Sequence, residues 1–244
     1  MRHFRPILIL AAVLALIAAG CGGSSGKVPS DAVATVNGQP IKKAALEQLM
    51  TQAKVTYANQ KRPFPKAGST EYAALQTQAI TYLVQRSQFA QEAGKMGIKV
   101  TDSQVNARLA AIKKQYFSND PKKYAAQLKS QGLTDAQVRD DLRAQLVSEA
   151  IFNKVAAKAT VSDAAIAAYY AKNKAQYSKP ETRDVRPAQT TPLKDVKDTI
   201  RQQLLQTSKN AAMTAWVANV KKKYDAKTHF QVGYGPATTA TTTT

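Results

Sequence analysis

The chain has one cysteine, Cys21, so it can form no internal disulfide and no cysteine-cluster metal site. Histidine is almost as scarce. His3 lies in the N-terminal leader and His229 close to the C-terminus. Nothing resembles a Ser/His/Asp set, a HExxH helix or a phosphate-binding glycine loop. No cofactor and no metal are therefore expected. Acids are few as well, with 16 Asp and Glu against 35 Lys and Arg, a formal net charge of +19. Such an excess favours anionic partners: envelope polymer, lipid headgroups, acidic polypeptides or nucleic acid. It equally fits a solvated lysine-rich surface, because net charge speaks to association and not to fold. Aromatics make up only 7% of the 244 residues. Ala, Lys and Gln are frequent, and their helix propensity points to a mainly α chain. Asp140 and Asp141 are adjacent, which sets them about 100° apart on a helix. They are read as solvated, not as a paired acid and base.

Long apolar runs are also missing, with one exception at the start. Arg2 and Arg5 precede the apolar stretch Ile7–Ala19, which ends in Ala18-Ala19-Gly20-Cys21. That run falls short of the ~20 residues a spanning helix takes. A basic flank, a short apolar core and a small-residue exit mark an export signal over residues 1–20. The exit resembles a bacterial lipobox, with Ala18 where Leu is more usual. The resemblance implies that Cys21 becomes the lipidated N-terminus and anchors the exported protein at the outer face of the cell membrane or in the periplasm. Ordinary cleavage, leaving a free thiol, is the alternative. One lipid anchors weakly, and the basic surface would add attraction to anionic lipid. Residues 21–30 are small and read as a tether.

Ala32–Val36 is a short strand-like run, and Asn37-Gly38 is a turn signal. Pro40 confines any second strand to a sheet edge. Helices follow over about Lys42–Asn59 and Thr70–Gly97, separated by a loop holding Pro63 and Pro65. Three more helices open alike, with VTDSQV, LTDAQV and VSDAAI. Thr101, Thr134 and Ser162 suit N-caps, and Gln104 and Gln137 complete capping boxes. Pro121 opens a short helix that Gly132 closes. Thr134–Ala159 carries the wide apolar stripe of a central helix. Ser178–Thr191, rich in Pro, Thr and charge, breaks the helical second half. Leu193–Tyr224 is a long helix ending in Lys221-Lys222-Lys223, cations that complement the helix dipole. His229–Tyr234 alternates like a strand and is expected to pair with Ala32–Val36. Residues 235–244 form a low-complexity Thr-rich tail.

The run DAVATVNGQPIKKAALEQLM resembles the opening of SurA/PrsA-type envelope foldases. AAYYAKNKAQYSKPETRDVR is similar to the run by which those proteins enter a parvulin prolyl-isomerase domain, and PAQTTPLKDVKDTIRQQLLQ to the exit. The resemblance implies a helical chaperone lobe made of residues 31–177 and 192–234, joined by a small two- or three-stranded β element. Pro187 follows Arg183–Arg186 directly, and the paired histidines of parvulin chemistry are absent. The expectation is thus a lobe that lacks the inserted isomerase, with residues 178–191 as a bare linker.

On that reading the protein is a holdase or foldase-like chaperone for unfolded or nascent exported polypeptides, with no catalytic residues. Tyr57, Phe64, Tyr72 and Tyr82 are the candidate client contacts, although helical stripes of this kind usually pack the core. Two alternatives stand beside it: a prolyl isomerase, as the family label implies, and an envelope scaffold binding anionic polymer or lipid. Export and the lack of a recognition motif argue against nucleic acid.

Overall fold

Five residues organise the molecule. Ala32–Val36 forms β1 and is buried along its whole length. Asn37 and Gly38 take φ of 47° and 80°, which returns the chain in a tight hairpin. The return strand, β2 (Gln39–Lys42), pairs antiparallel with β1, and the register shifts between Ala32 and Ala34. Pro40 sits on this outer strand, where its missing N–H removes no interior ladder bond. On the other side β1 pairs antiparallel with β3 (Thr228–Phe230), giving the order β2-β1-β3. The C-terminal strand is shorter than the expected His229–Tyr234. Gly233 takes φ of 86°, the chain turns there, and Val232 is left almost fully exposed.

The computed structural model describes residues 28–178 and 190–235. The expected leader, Cys21, most of the tether, most of the 178–191 linker and most of the Thr-rich tail lie outside these residues. Among the described residues there are seven α-helices: α1 (Lys43–Asn59), α2 (Thr70–Lys95), α3 (Asp102–Phe117), α4 (Pro121–Gln131), α5 (Asp135–Ala156), α6 (Asp163–Lys172) and α7 (Leu193–Asp225). The mainly α fold is what the composition led one to expect, and the small sheet answers the strand-like runs at Ala32–Val36 and His229–Tyr234 and the family resemblance.

The helix starts follow the local code. Thr101 and Thr134 each form a complete capping box with the Gln three residues on. Ser162 accepts from the Ala165 amide, and Asp120 accepts from the amides of Lys122 and Lys123 just before Pro121. Gly132 ends α4 at φ of 65°. Its backbone passes so near α1 that a Cβ there would stand 2.9 Å from Cγ2 of Val55.

Two apolar clusters hold the fold. The larger joins the first and last described elements: Val33 and Val36 of β1, Leu46 and Met50 of α1, Ile80 of α2, and Val220 and Tyr224 of α7. The smaller lies among α3, α4 and α5, around Val105, Leu109, Tyr124 and Leu142. α5 packs against α2, α3 and α7, and Ile151 on it is fully buried. At 33 residues α7 runs about 50 Å and lies along α2, α5 and α6.

Candidate functional site

The loop after α1 builds an aromatic corner. Lys61 takes φ of 56°, and the Arg62 amide donates to the Tyr57 carbonyl at 2.9 Å. The chain therefore folds back across the end of α1. Phe64 then meets Tyr57 edge to face at 5.5 Å and Tyr72 at 6.2 Å, the geometry that aromatic quadrupoles favour. The Arg62 guanidinium lies over the Tyr57 ring, 4.7 Å from its centroid. All three rings are half-buried, and Phe64 and Tyr72 pack against the larger core cluster. α4 abuts this corner, since the Asn59 side-chain amide donates to the Ser130 carbonyl at 3.0 Å.

Three of the four expected contact residues are thus brought together and the fourth is not. Tyr82 lies ten residues beyond Tyr72, about 15 Å further along α2, and remains 44% exposed. Leu83 packs against the core. Adjacent helical positions diverge by about 100°, so a stripe that includes Leu83 leaves Tyr82 off it.

A concavity of about 230 Å³ opens between the end of α5 and the middle of α7. Phe152, Ala156 and Leu205 supply apolar walls, with Asn153 and Lys209 beside them.

At the other end of α2 sits a polar clasp. Glu92 is only 8% exposed. Its Oε1 accepts from the Tyr224 hydroxyl at 2.8 Å and from Lys95 at 2.8 Å, and its Oε2 from Lys223 at 2.9 Å. Burial works to raise the Glu92 carboxyl. The hydrogen bonds from Lys95, Lys223 and Tyr224 outweigh it and hold the group at about 2. Lys223 is accordingly more than a dipole complement, because it ties α7 to α2. Nothing local marks Glu92, whose α7 partners lie more than 130 residues away.

Asp140 and Asp141 are exposed as expected, yet both are paired. Asp141 accepts from Arg86 at 2.9 Å and Asp140 from Arg143 at 3.3 Å. Among the described residues no three His, Cys, Asp or Glu side chains are grouped to hold a metal, and no helix is long and apolar enough to cross a membrane.

The strands between α6 and α7 meet at a narrow neck. Ser178 and Thr190 form an antiparallel bridge, their hydroxyls 2.8 Å apart. The Thr191 amide donates to the Tyr177 carbonyl at 2.7 Å, and the Tyr170 hydroxyl donates to the Thr191 carbonyl at 2.8 Å.

A sheet that ties the N-terminal strand β1 and the C-terminal strand β3 to a helical body, with a pinned neck before α7, defines the class: a mainly helical lobe closed by a small sheet. The SurA-like N-terminal domain model matches residues 2–152, well over half of the chain. The chain belongs to that family. The chain is also similar to the foldase protein PrsA of Clostridium kluyveri, with 27% identity over 165 residues, 62% of this chain and 48% of that protein. PrsA of Clostridium botulinum matches at 27% over 166 residues, 63% of this chain and 48% of that protein. The chain thus spans about half the length of the curated relatives it matches. Among solved structures, a chain from the work on PEB4 and Cj1289, SurA-like chaperones of Campylobacter jejuni, superposes with a TM-score of 0.51. Its sequence identity is 14%, and the match covers 83% of this chain and all of that one. At that identity the likeness concerns the fold.

One expectation is corrected. A PPIC-type prolyl-isomerase domain model matches residues 161–240, so the isomerase cannot be taken as missing. The expectation rested on the short interval at Pro187 and the scarcity of histidine. The match spans that interval and both of its flanks, whose described part forms α6, the turn at Lys174–Tyr177, α7 and β3. The segments matched by the two models are not separate units. β3 completes the sheet begun by β1, and Lys223 and Tyr224 bind Glu92.

Proposed function

We propose that this protein is an exported chaperone of the foldase type, anchored by lipid at Cys21, that holds unfolded polypeptides outside the cytoplasm. The observation that carries the reading is the aromatic corner of Tyr57, Phe64 and Tyr72 on a lobe of the SurA-like N-terminal domain family. Half-buried rings present apolar faces without losing their footing in the core. A client segment laid against them leaves water and is released when it folds. No ATP-driven or covalent step is required. Tyr82, exposed on the same helix, extends the apolar contact beyond the corner.

The experiment is aggregation of a denatured secreted protein in the presence of the mature chain. Stoichiometric suppression is expected, weakened by Tyr57→Ala and restored by Tyr57→Phe. Unchanged aggregation at stoichiometric protein would refute the reading.

The match over residues 161–240 favours a second activity, prolyl isomerisation. Such catalysis lowers a barrier of about 18–20 kcal/mol for rotation about an amide. A protease-coupled assay on a proline peptide decides it, and turnover by pure protein would establish the activity.

A further inference from the structure

The arginine at the aromatic corner lacks an acidic partner, while the described arginines elsewhere have one. Arg86, Arg108, Arg139, Arg143 and Arg201 each pair with an Asp or Glu. Among the described residues Arg62 is the one arginine with no acidic partner. It rests instead on the Tyr57 ring and reaches Oε1 of Gln60 at 3.4 Å. Lys61 and Lys66 share its loop, Lys54 lies on α1 three residues before Tyr57, and Lys129 of α4 adjoins Ser130, the partner of Asn59; all four are exposed and without an ion pair among the described residues. Between Glu47 and Glu92 the sequence has one acid, Glu71, and α4 carries three lysines and none. The acids of α3, α5 and α6, and Asp198 of α7, are engaged with cations of their own neighbourhood.

We infer that this corner is a charge-selective docking surface for acidic, aromatic-bearing segments of unfolded polypeptide. The inference rests on the chaperone reading and deepens it by naming the client chemistry. The aromatic floor receives an apolar side chain, and Arg62 with the unpaired lysines of the adjoining segments neutralises carboxylates beside it. Arg62 serves both, because its flat guanidinium stacks on Tyr57 while its edge stays free for bidentate contact with a carboxylate. An anionic membrane is the less suitable occupant. The corner lies at the far end of α1, about 25 Å along that helix from the sheet beside which the described residues begin.

The test is fluorescence anisotropy of the mature protein with two unstructured peptides. One alternates Asp or Glu with Phe and Tyr, and the other replaces each acid by its amide. The acidic peptide is expected to bind roughly tenfold tighter at low salt, with the preference shrinking as salt rises. Combining Lys61→Gln, Arg62→Gln and Lys66→Gln abolishes the preference. The same change at Lys172, Lys174 and Lys194 leaves it intact, and Arg62→Lys retains most of it. Circular dichroism of each variant separates this result from unfolding. Equal binding of the two peptides by wild type overturns the inference. So does binding of phosphatidylglycerol vesicles through the same three residues without any peptide preference. If charge preference is absent while a neutral client is still protected from aggregation, the chaperone reading stands and this inference alone falls. If no client is protected, the chaperone reading falls.

Discussion

The Tyr224 hydroxyl donates to the Glu92 carboxylate at 2.8 Å across 132 residues of sequence. This contact, with Lys223 and Lys95 on the same carboxylate, fastens the end of α7 to α2 beside the sheet. The C-terminal part of the chain is thereby built into the N-terminal part.

Acid is expected to loosen that junction. Glu92 sits at about 2 in the fold against an ordinary 4.5. A carboxyl depressed by folding contributes stability that is complete above the unfolded value and is lost as pH falls through the folded one. The loss therefore runs from about pH 4.5 down to about pH 2, and totals at most about 3 kcal/mol. Urea unfolding across that range should show the decline, and Glu92→Gln should flatten it. An unchanged slope in the variant would contradict the clasp.

Tyr224→Phe leaves the ring in the core and removes one donor from a buried carboxylate. A loss of about 1–3 kcal/mol is expected at neutral pH, read from the unfolding midpoint.

Gly132→Ala places a methyl 2.9 Å from Val55 and forces a φ of 65° on an L residue. Destabilisation of about 1–2 kcal/mol is expected from the backbone alone, with the clash added. Val55→Ala in the same chain should recover the steric part only.

Thr134→Ala removes the cap of α5. About 1 kcal/mol should be lost, and Thr134→Ser should lose far less. Thr101→Ala is expected to behave alike at α3, with thermal melts as the readout.

Ending the chain before Thr228 deletes β3 and Phe230 and leaves β1 unpaired on one side. An open buried strand is a template for association. The truncated chain should lose at least about 2 kcal/mol and scatter light on warming.

Much of this was legible in the residues because its causes are local. The Asn37-Gly38 hairpin, the Thr101 and Thr134 boxes, Pro121 and Gly132 act within a few residues of themselves, so position alone reveals them. The expected pairing of the C-terminal segment with Ala32–Val36 was legible because β1 is too apolar to stand unpaired. Tyr82 shows where that method fails. One step along a helix turns a side chain from core to solvent, and periodicity does not say which edge of a stripe is covered. The expected loss of the isomerase, drawn from one short interval and from the scarcity of histidine, is overturned by a domain likeness that extends over residues 161–240.

The sequence by itself determined the helices, their caps, the hairpin and the excess of positive charge, all set by interactions within about a turn of the chain. The tertiary structure alone decided that Glu92 meets Lys223 and Tyr224, that Phe64 closes a ladder with Tyr57 and Tyr72, and that Arg62 is left without an acid. Those outcomes depend on which distant surfaces exclude water together, and no residue carries that information singly.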